Sequence, residues 1–102
     1  MKPAEPKIFL GDEPGVVAPV TIRQNFPSIP TNIATMTKDR GLIEVVIDEQ
    51  GRVMTVTLRN AIHPVYDALL LNAVREWKYR PATFNGTPVR FKKLIQVTLP
   101  RR

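Results

Sequence analysis

The stretch from Gly41 to Arg59 constrains the fold of this chain more than any other. In Leu42–Asp48, residues Ile43, Val45 and Ile47 point one way while Glu44 and Asp48 point the other. In Val53–Arg59, Met54, Val56 and Leu58 oppose Thr55, Thr57 and Arg59. A period of two is the signature of strands that bury one face. Between them lies Asp48-Glu49-Gln50-Gly51, where glycine supplies the positive φ that a tight, bulged turn requires. Two strands and a turn make a hairpin.

The next segment supplies a cover for the hairpin's apolar face. Pro64 suits a first helical position, and Asp67 in the first turn complements the helix dipole. Leu69, Leu70, Ala73, Val74 and Trp77 form one continuous stripe, Arg75 and Lys78 suit the C-terminal end, and Pro81 forbids continuation. After Asn85-Gly86 a third strand is predicted. Val89, Phe91, Ile95, Val97 and Leu99 share one of its faces with Lys93, while Arg90, Lys92, Gln96 and Thr98 share the other, interrupted by Leu94.

These lengths fix a topology. A helix of about 14 residues spans about 21 Å, close to the ~23 Å of a seven-residue strand, so it returns the chain to the end where the second strand began. The third strand then runs antiparallel to the first and lies beside it, in spatial order 2-1-3, with a right-handed crossover. The expected architecture is a two-layer α+β domain. It has an antiparallel three-stranded sheet, packed on one face by the long helix and by a short N-terminal one over Thr31–Asp39, capped by Thr31 or Asn32. The third strand is left as an open edge.

Upstream, six of the ten prolines fall within the first thirty residues. Proline fixes φ and removes a donor, so residues 1–26 read as an extended linker without helix, and the domain proper as 27–102. Within the linker, Val16 to Arg23 is expected as a short edge strand, since Pro19 argues against a central one. The first residues carry no charged-then-apolar leader pattern.

Composition closes off several functions. The 102 residues suffice for one small domain, and no apolar run approaches the ~20 residues of a membrane helix. With no cysteine there is no thiol or thiolate chemistry, and a lone histidine, His63, reads as a helix-start residue rather than a metal ligand. The single serine, Ser28, has no base in evident relation to it, and Asp48 and Glu49 sit in a turn, where solvation accounts for them. Gly11 and Gly15 do not make a phosphate loop. No catalytic residue, metal or cofactor is therefore expected.

The formal charge of +6 favours acidic partners, and it is concentrated late: from Arg75 onward eight cations face only Glu76. Arg90, Lys92 and Lys93 around Phe91 suggest a nucleic-acid platform, but the alternation buries Phe91, which then cannot stack on bases. Lysines on an edge strand also discourage aggregation. An edge can equally bind, because its unpaired N–H and C=O groups accept an extended peptide as one more strand. Arg90, Lys92 and Gln96 would flank such a segment.

Several motifs resemble a known family. Gly41 followed by Glu44-Val45-Val46-Ile47-Asp48-Glu49-Gln50-Gly51-Arg52-Val53 is similar to the hairpin of the TonB C-terminal domain. Ala68-Leu69-Leu70 and Ala73-Val74-Arg75-Glu76-Trp77-Lys78-Tyr79-Arg80-Pro81-Ala82 resemble its helix and the ending of that helix, and Gly86-Thr87-Pro88-Val89 resembles the start of its last long strand. The likeness covers about Pro27 to Leu99. Where the family reads Pro-x-Tyr-Pro, this chain has Pro27-Ser28-Ile29-Pro30, with Ile29 in the tyrosine's place. The resemblance implies the excised terminal domain of a periplasmic energy transducer, anchored in the inner membrane by a missing N-terminal region that meets motor proteins there. Such a domain grips the N-terminal box peptide of an outer-membrane transporter by strand addition. Carried onto this chain, the gripping edge is Arg90, Phe91, Lys92, Lys93, Leu94, Ile95, Gln96 and Val97, with a further partner contact near Pro27, Ile29 and Pro30. The resemblance also implies strand-exchanged homodimers. Two other readings are an envelope scaffold of the same fold and a basic nucleic-acid binder.

Overall fold

The computed structural model describes residues 7–11, 13–28, 30 and 40–98. In chain order the elements are β1 (Ile8–Phe9), β2 (Val16–Val17), β3 (Val20–Arg23), β4 (Arg40–Ile47), β5 (Val53–Asn60), α1 (Pro64–Val74), β6 (Lys78–Arg80), β7 (Ala82–Phe84) and β8 (Thr87–Thr98). The expected short helix over 31–39 lies outside the described residues.

The β4–β5 hairpin forms where the alternation puts it. Asp48 Oδ1 accepts the N–H groups of Gln50 and Arg52 at 2.9 and 2.8 Å, and the Gly51 N–H donates to Asp48 O at 3.0 Å. Gly51 adopts φ +83°, and its own carbonyl accepts the Tyr79 N–H at 2.9 Å. A Cβ at Gly51 would sit 1.8 Å from Tyr79 O, so this turn and the start of β6 can meet only through glycine. Ile43, Val45 and Ile47 are fully buried, as their spacing predicts. Met54 departs from expectation and is 44% exposed. The register shifts between Val46 and Ile47, whose partners are Thr55 and Val53, so Met54 is the extra residue of a bulge. The bulge turns Val53 inward in its place, where it packs on the core with Val56 and Leu58.

Helix α1 begins at Pro64 and is capped by His63, whose Nδ1 accepts the Val65 N–H at 3.1 Å. Buried Asp67 accepts the Ile62 N–H at 3.0 Å, so the main chain entering the helix is satisfied by the helix's own first turns. The helix is shorter than expected and stops at Val74. Its buried line is Tyr66, Leu70 and Val74, at i, i+4 and i+8, while Leu69, expected in the stripe, is 39% exposed. Trp77 is buried as expected, but past the helix. A tight turn with Glu76 N–H on Ala73 O and Trp77 N–H on Val74 O carries it inward.

In the sheet, β4 pairs antiparallel with β5 on one side and with β8 on the other, the arrangement anticipated for these three strands. The whole sheet nevertheless differs from the expected three strands in count and order: it runs β2-β7-β8-β4-β5, with β1 also paired to β8, and β3-β6 form a separate pair. Two causes are visible. Asn85 (φ 50°) and Gly86 (φ 87°) make a two-residue turn that folds Ala82–Phe84 back onto Thr87–Val89. The segment expected as a linker also contributes strands, and buried Pro19 with Ala18 splits the expected Val16–Arg23 strand into β2 on β7 and β3 on β6. The main core lies between α1 and the inner face of β4, β5 and β8, and a smaller cluster of Phe9, Ala82 and Phe91 sits at the β1 end.

Substituting Gly51→Ala should destabilise the domain by about 3 kcal/mol, from left-handed backbone and a forced separation of Tyr79. Chemical denaturation measures this directly, and a loss under ~0.5 kcal/mol would contradict it.

Candidate partner-docking edge

Strand β8 is the longest among the described residues, and its two sides differ. On one side Phe91–Thr98 pair continuously with Ile47–Arg40. On the other, Thr87–Val89 pair with β7, and Arg90 and Phe91 pair in parallel with Ile8 and Phe9 of β1. From Lys92 to Thr98 that second side meets no strand among the described residues. Of the eight sequence-expected edge residues, Arg90 and Phe91 are thus already paired on this second side by β1, and the remaining six, Lys92 to Val97, border the open side.

The direction of the main-chain groups is set by the hairpin. Phe84 and Thr87 flank a two-residue turn and form its closing hydrogen-bonded pair, and the next such pair is Ala82 with Val89. Pro88, which has no N–H, falls between them, where none is needed. Successive residues of a strand address opposite sides, and β8 runs without a register shift against β4. The N–H and C=O groups of Lys93, Ile95 and Val97 therefore face the open side, while those of Lys92, Leu94 and Gln96 are spent on β4.

Side chains divide the same strand by face. Phe91, Ile95 and Val97 are buried, and Lys93 on their face lays its Nζ 5.2 Å from the centre of the Tyr79 ring. On the outer face Leu94 is 59% exposed, Arg90 Nε contacts Glu49 at 3.2 Å, and Lys92 Nζ lies 3.9 Å from Glu44 Oε1. Glu44 also accepts Arg59 Nη2 at 2.9 Å. These cations are shared with carboxylates of the same face, so it is a mixed polar surface and not a purely basic one. No cluster of metal-ligating side chains occurs among the described residues.

β1 limits the open edge at one end. Phe9 is buried against Phe91 and Ala82, its ring 5.0 Å from that of Phe84, and Lys7 reaches over it while bonding Glu13 at 2.8 Å. That bond holds the Glu13 carboxyl below its ordinary pKa. A two-residue apolar step in a proline-rich stretch gave no sequence signal strong enough to predict this pairing.

The N-terminal motif is tied down by aromatic side chains with polar tips. Trp77 Nε1 donates to Asn25 O at 2.7 Å, Tyr79 Oη donates to Gln24 Oε1 at 2.7 Å, and Tyr66 Oη donates to Pro27 O at 3.0 Å. Phe26 meets Trp77 edge-on at 5.1 Å. Of the expected contacts near this motif, Pro27 therefore lies against α1, half-buried Pro30 comes three residues later, and Ile29 is outside the described residues.

Comparison with known proteins adds to this geometry. The family described as Gram-negative bacterial TonB protein C-terminal matches residues 37–98, more than half of the sequence. The chain belongs to that family. A solution NMR structure of the Pseudomonas aeruginosa TonB C-terminal domain is similar in fold, with a TM-score of 0.57 at 14% identity over 93% of this chain and 97% of that one. No curated protein matches this sequence. Membership places the domain among non-catalytic energy-transducing modules of the Gram-negative cell envelope that interact with outer-membrane transporters.

Burial raises the pKa of both tyrosines in the sequence, that of Tyr79 to about 12, with the Asp67 charge adding to the shift of Tyr66. Because the folded state holds these protons above the ordinary value of 10.0, the unfolded chain ionises first. Stability is fully present below pH 10 and is expected to decline from there to about pH 12. Phenolate absorbance should show no step at the ordinary value while the protein is folded; a full two-tyrosine step there would contradict the described burial.

Proposed function

We propose that this domain takes the N-terminal box peptide of an outer-membrane transporter as an added strand along Lys92–Thr98 of β8, and that this grip passes energy from an inner-membrane motor. A membrane-anchored region ahead of the domain would make the link to the motor from the periplasmic side. The observation that carries the reading is the side of β8 that has no strand partner among the described residues, where Lys93, Ile95 and Val97 direct three N–H and three C=O groups outward. Unpaired strand edges take extended peptides through main-chain bonds, and neighbouring side chains set preference. Here Lys92, Leu94 and Gln96 on the outer face and Lys93 on the inner face would contact an incoming strand. The same edge also suits pairing with a second copy, which would compete with the peptide.

Proline distinguishes main-chain docking from docking on side chains. Lys93→Pro removes an N–H that meets no strand among the described residues, and edge strands tolerate proline where the N–H faces outward. Its affinity for a transporter box peptide should fall about tenfold, one lost main-chain bond plus ring obstruction. Lys93→Ala should bind within about twofold of the unaltered chain. Amide shifts on peptide addition should concentrate between Lys92 and Thr98. Equal binding by the proline variant, or shifts confined to other strands, would contradict strand addition at this edge.

A further inference from the structure

The β3–β6 pair carries a feature that docking at β8 does not use. In β3, Val20 pairs with Arg80, Thr21 with Tyr79 and Arg23 with Lys78, with a register shift between Thr21 and Arg23. Residues three apart on a regular strand face opposite ways, but the extra residue, Ile22, returns Arg23 to the face of Val20. Lys78 and Arg80 flank inward-facing, buried Tyr79 and so share the outer face. On the far side of Lys78 stands Arg52, joined to it by an antiparallel bridge. Arg23, Lys78 and Arg52 thus form a row across three chain segments, with Arg80 one pair along. All four are exposed.

Like charges directly opposite one another on a sheet repel. Arg52 is answered by Asp48 at 3.7 Å and by Gln50, but Asp48 already serves the turn's N–H groups. Among the described residues, Arg23, Lys78 and Arg80 make no ion pair, and neither does Glu76, two residues ahead of Lys78. Beside this row, β3 has its second side unpaired among the described residues, and Val20 and Ile22 are 57% and 62% exposed. Of the devices that blunt natural edges, β3 carries the bulge at Ile22 and the charge of Arg23, but no proline within the strand and no covering strand among the described residues.

We propose that the free edge of β3, backed by Arg23, Lys78, Arg52 and Arg80, is a second docking site that takes an acidic, extended polypeptide segment as an added strand. Charge complementarity selects an anion, and the open main chain selects a polypeptide among anions. A lipid surface or a nucleic acid would use the cations and leave the N–H and C=O groups of β3 unanswered. Carboxylates at every second position of the segment would all fall on the cationic face. This site is separate from the β8 edge and does not depend on the reading given for it.

The probe is an eight-residue peptide alternating glutamate and threonine, with a glutamine–threonine peptide as its neutral counterpart, titrated into the full chain. The acidic peptide should shift amides of Val20–Arg23 and Lys78–Arg80, and the neutral one should not. Exchanging Arg23→Gln, Lys78→Gln and Arg80→Gln together should weaken the acidic peptide about tenfold, as three exposed charge contacts imply, and should leave transporter-peptide binding at β8 unchanged. Because these side chains are exposed and mutually repelling, the triple variant should melt no lower than the parent. Equal shifts from both peptides, acidic-peptide shifts at Lys92–Thr98 instead of β3, no binding, or undiminished binding by the triple variant would each overturn the proposal. So would binding of phosphatidylglycerol vesicles that is lost in the triple variant while the acidic peptide fails to bind.

Discussion

The unbroken pairing of β4 with β8 organises the rest of the molecule. Eight consecutive partners, from Arg40 with Thr98 to Ile47 with Phe91, hold the two strands in one register. That register puts Ile43 against Ile95 and Ile47 against Phe91, so the inner face becomes continuous across the sheet and α1 can close over it. It also spends the main chain of alternate β8 residues. Once Lys92, Leu94 and Gln96 bond β4, the groups of Lys93, Ile95 and Val97 have only the other side to face. A slip of one residue would exchange the two sets and turn the apolar face outward. Core packing and the chemistry of the open edge are therefore one constraint. Gly41, opposite Val97, shows how closely the ladder's end is packed, for a Cβ there would come within 2.7 Å of Ile62 and 2.9 Å of Asn60 O.

Three aromatic residues extend that core to the N-terminal segment. Tyr66, Trp77 and Tyr79 each bury a ring in the main cluster and offer the polar tip to residues 24–27. Rings of this kind supply apolar area and a hydrogen bond from one side chain. The stretch from Gln24 to Pro27, which pairs with no strand among the described residues, is held in place by them. Beyond it, β1, β2 and β3 each find a different strand, so the proline-rich part is attached at separate points along the domain and not as one sheet.

Much of this could be read from residues alone. Period-two runs gave β4 and β8, the Asp48–Gly51 turn gave the hairpin, Pro64 gave the helix start, and the length match gave the neighbours of β4. The misses share a physical origin. Met54 was displaced by a bulge, which leaves no mark in hydrophobic alternation. Leu69 falls in the stripe only if the helix runs on to Trp77, whereas the chain leaves the helix at Val74 and uses a turn to bury the indole. β1, β2, β6 and β7 are two or three residues long, below the length at which alternation is distinguishable from chance. Of the edge, the residues from Lys92 onward were legible from their pattern, while its restriction at Arg90 and Phe91 depends on Phe9, roughly eighty positions away, which no local signal connects to it. The row of cations on β3 and β6 was equally hidden, because a bulge and an isolated bridge create it.

Amide hydrogen exchange along β8 in the free domain tests the arrangement of this edge most directly. Exchange should alternate, with Lys93, Ile95 and Val97 fast and Lys92, Leu94 and Gln96 slow, and the fast three should slow when a transporter peptide is added. Uniform protection from Lys92 to Val97 before any peptide is present, or fast amides that stay fast in its presence, would contradict an open side on this strand that a partner occupies.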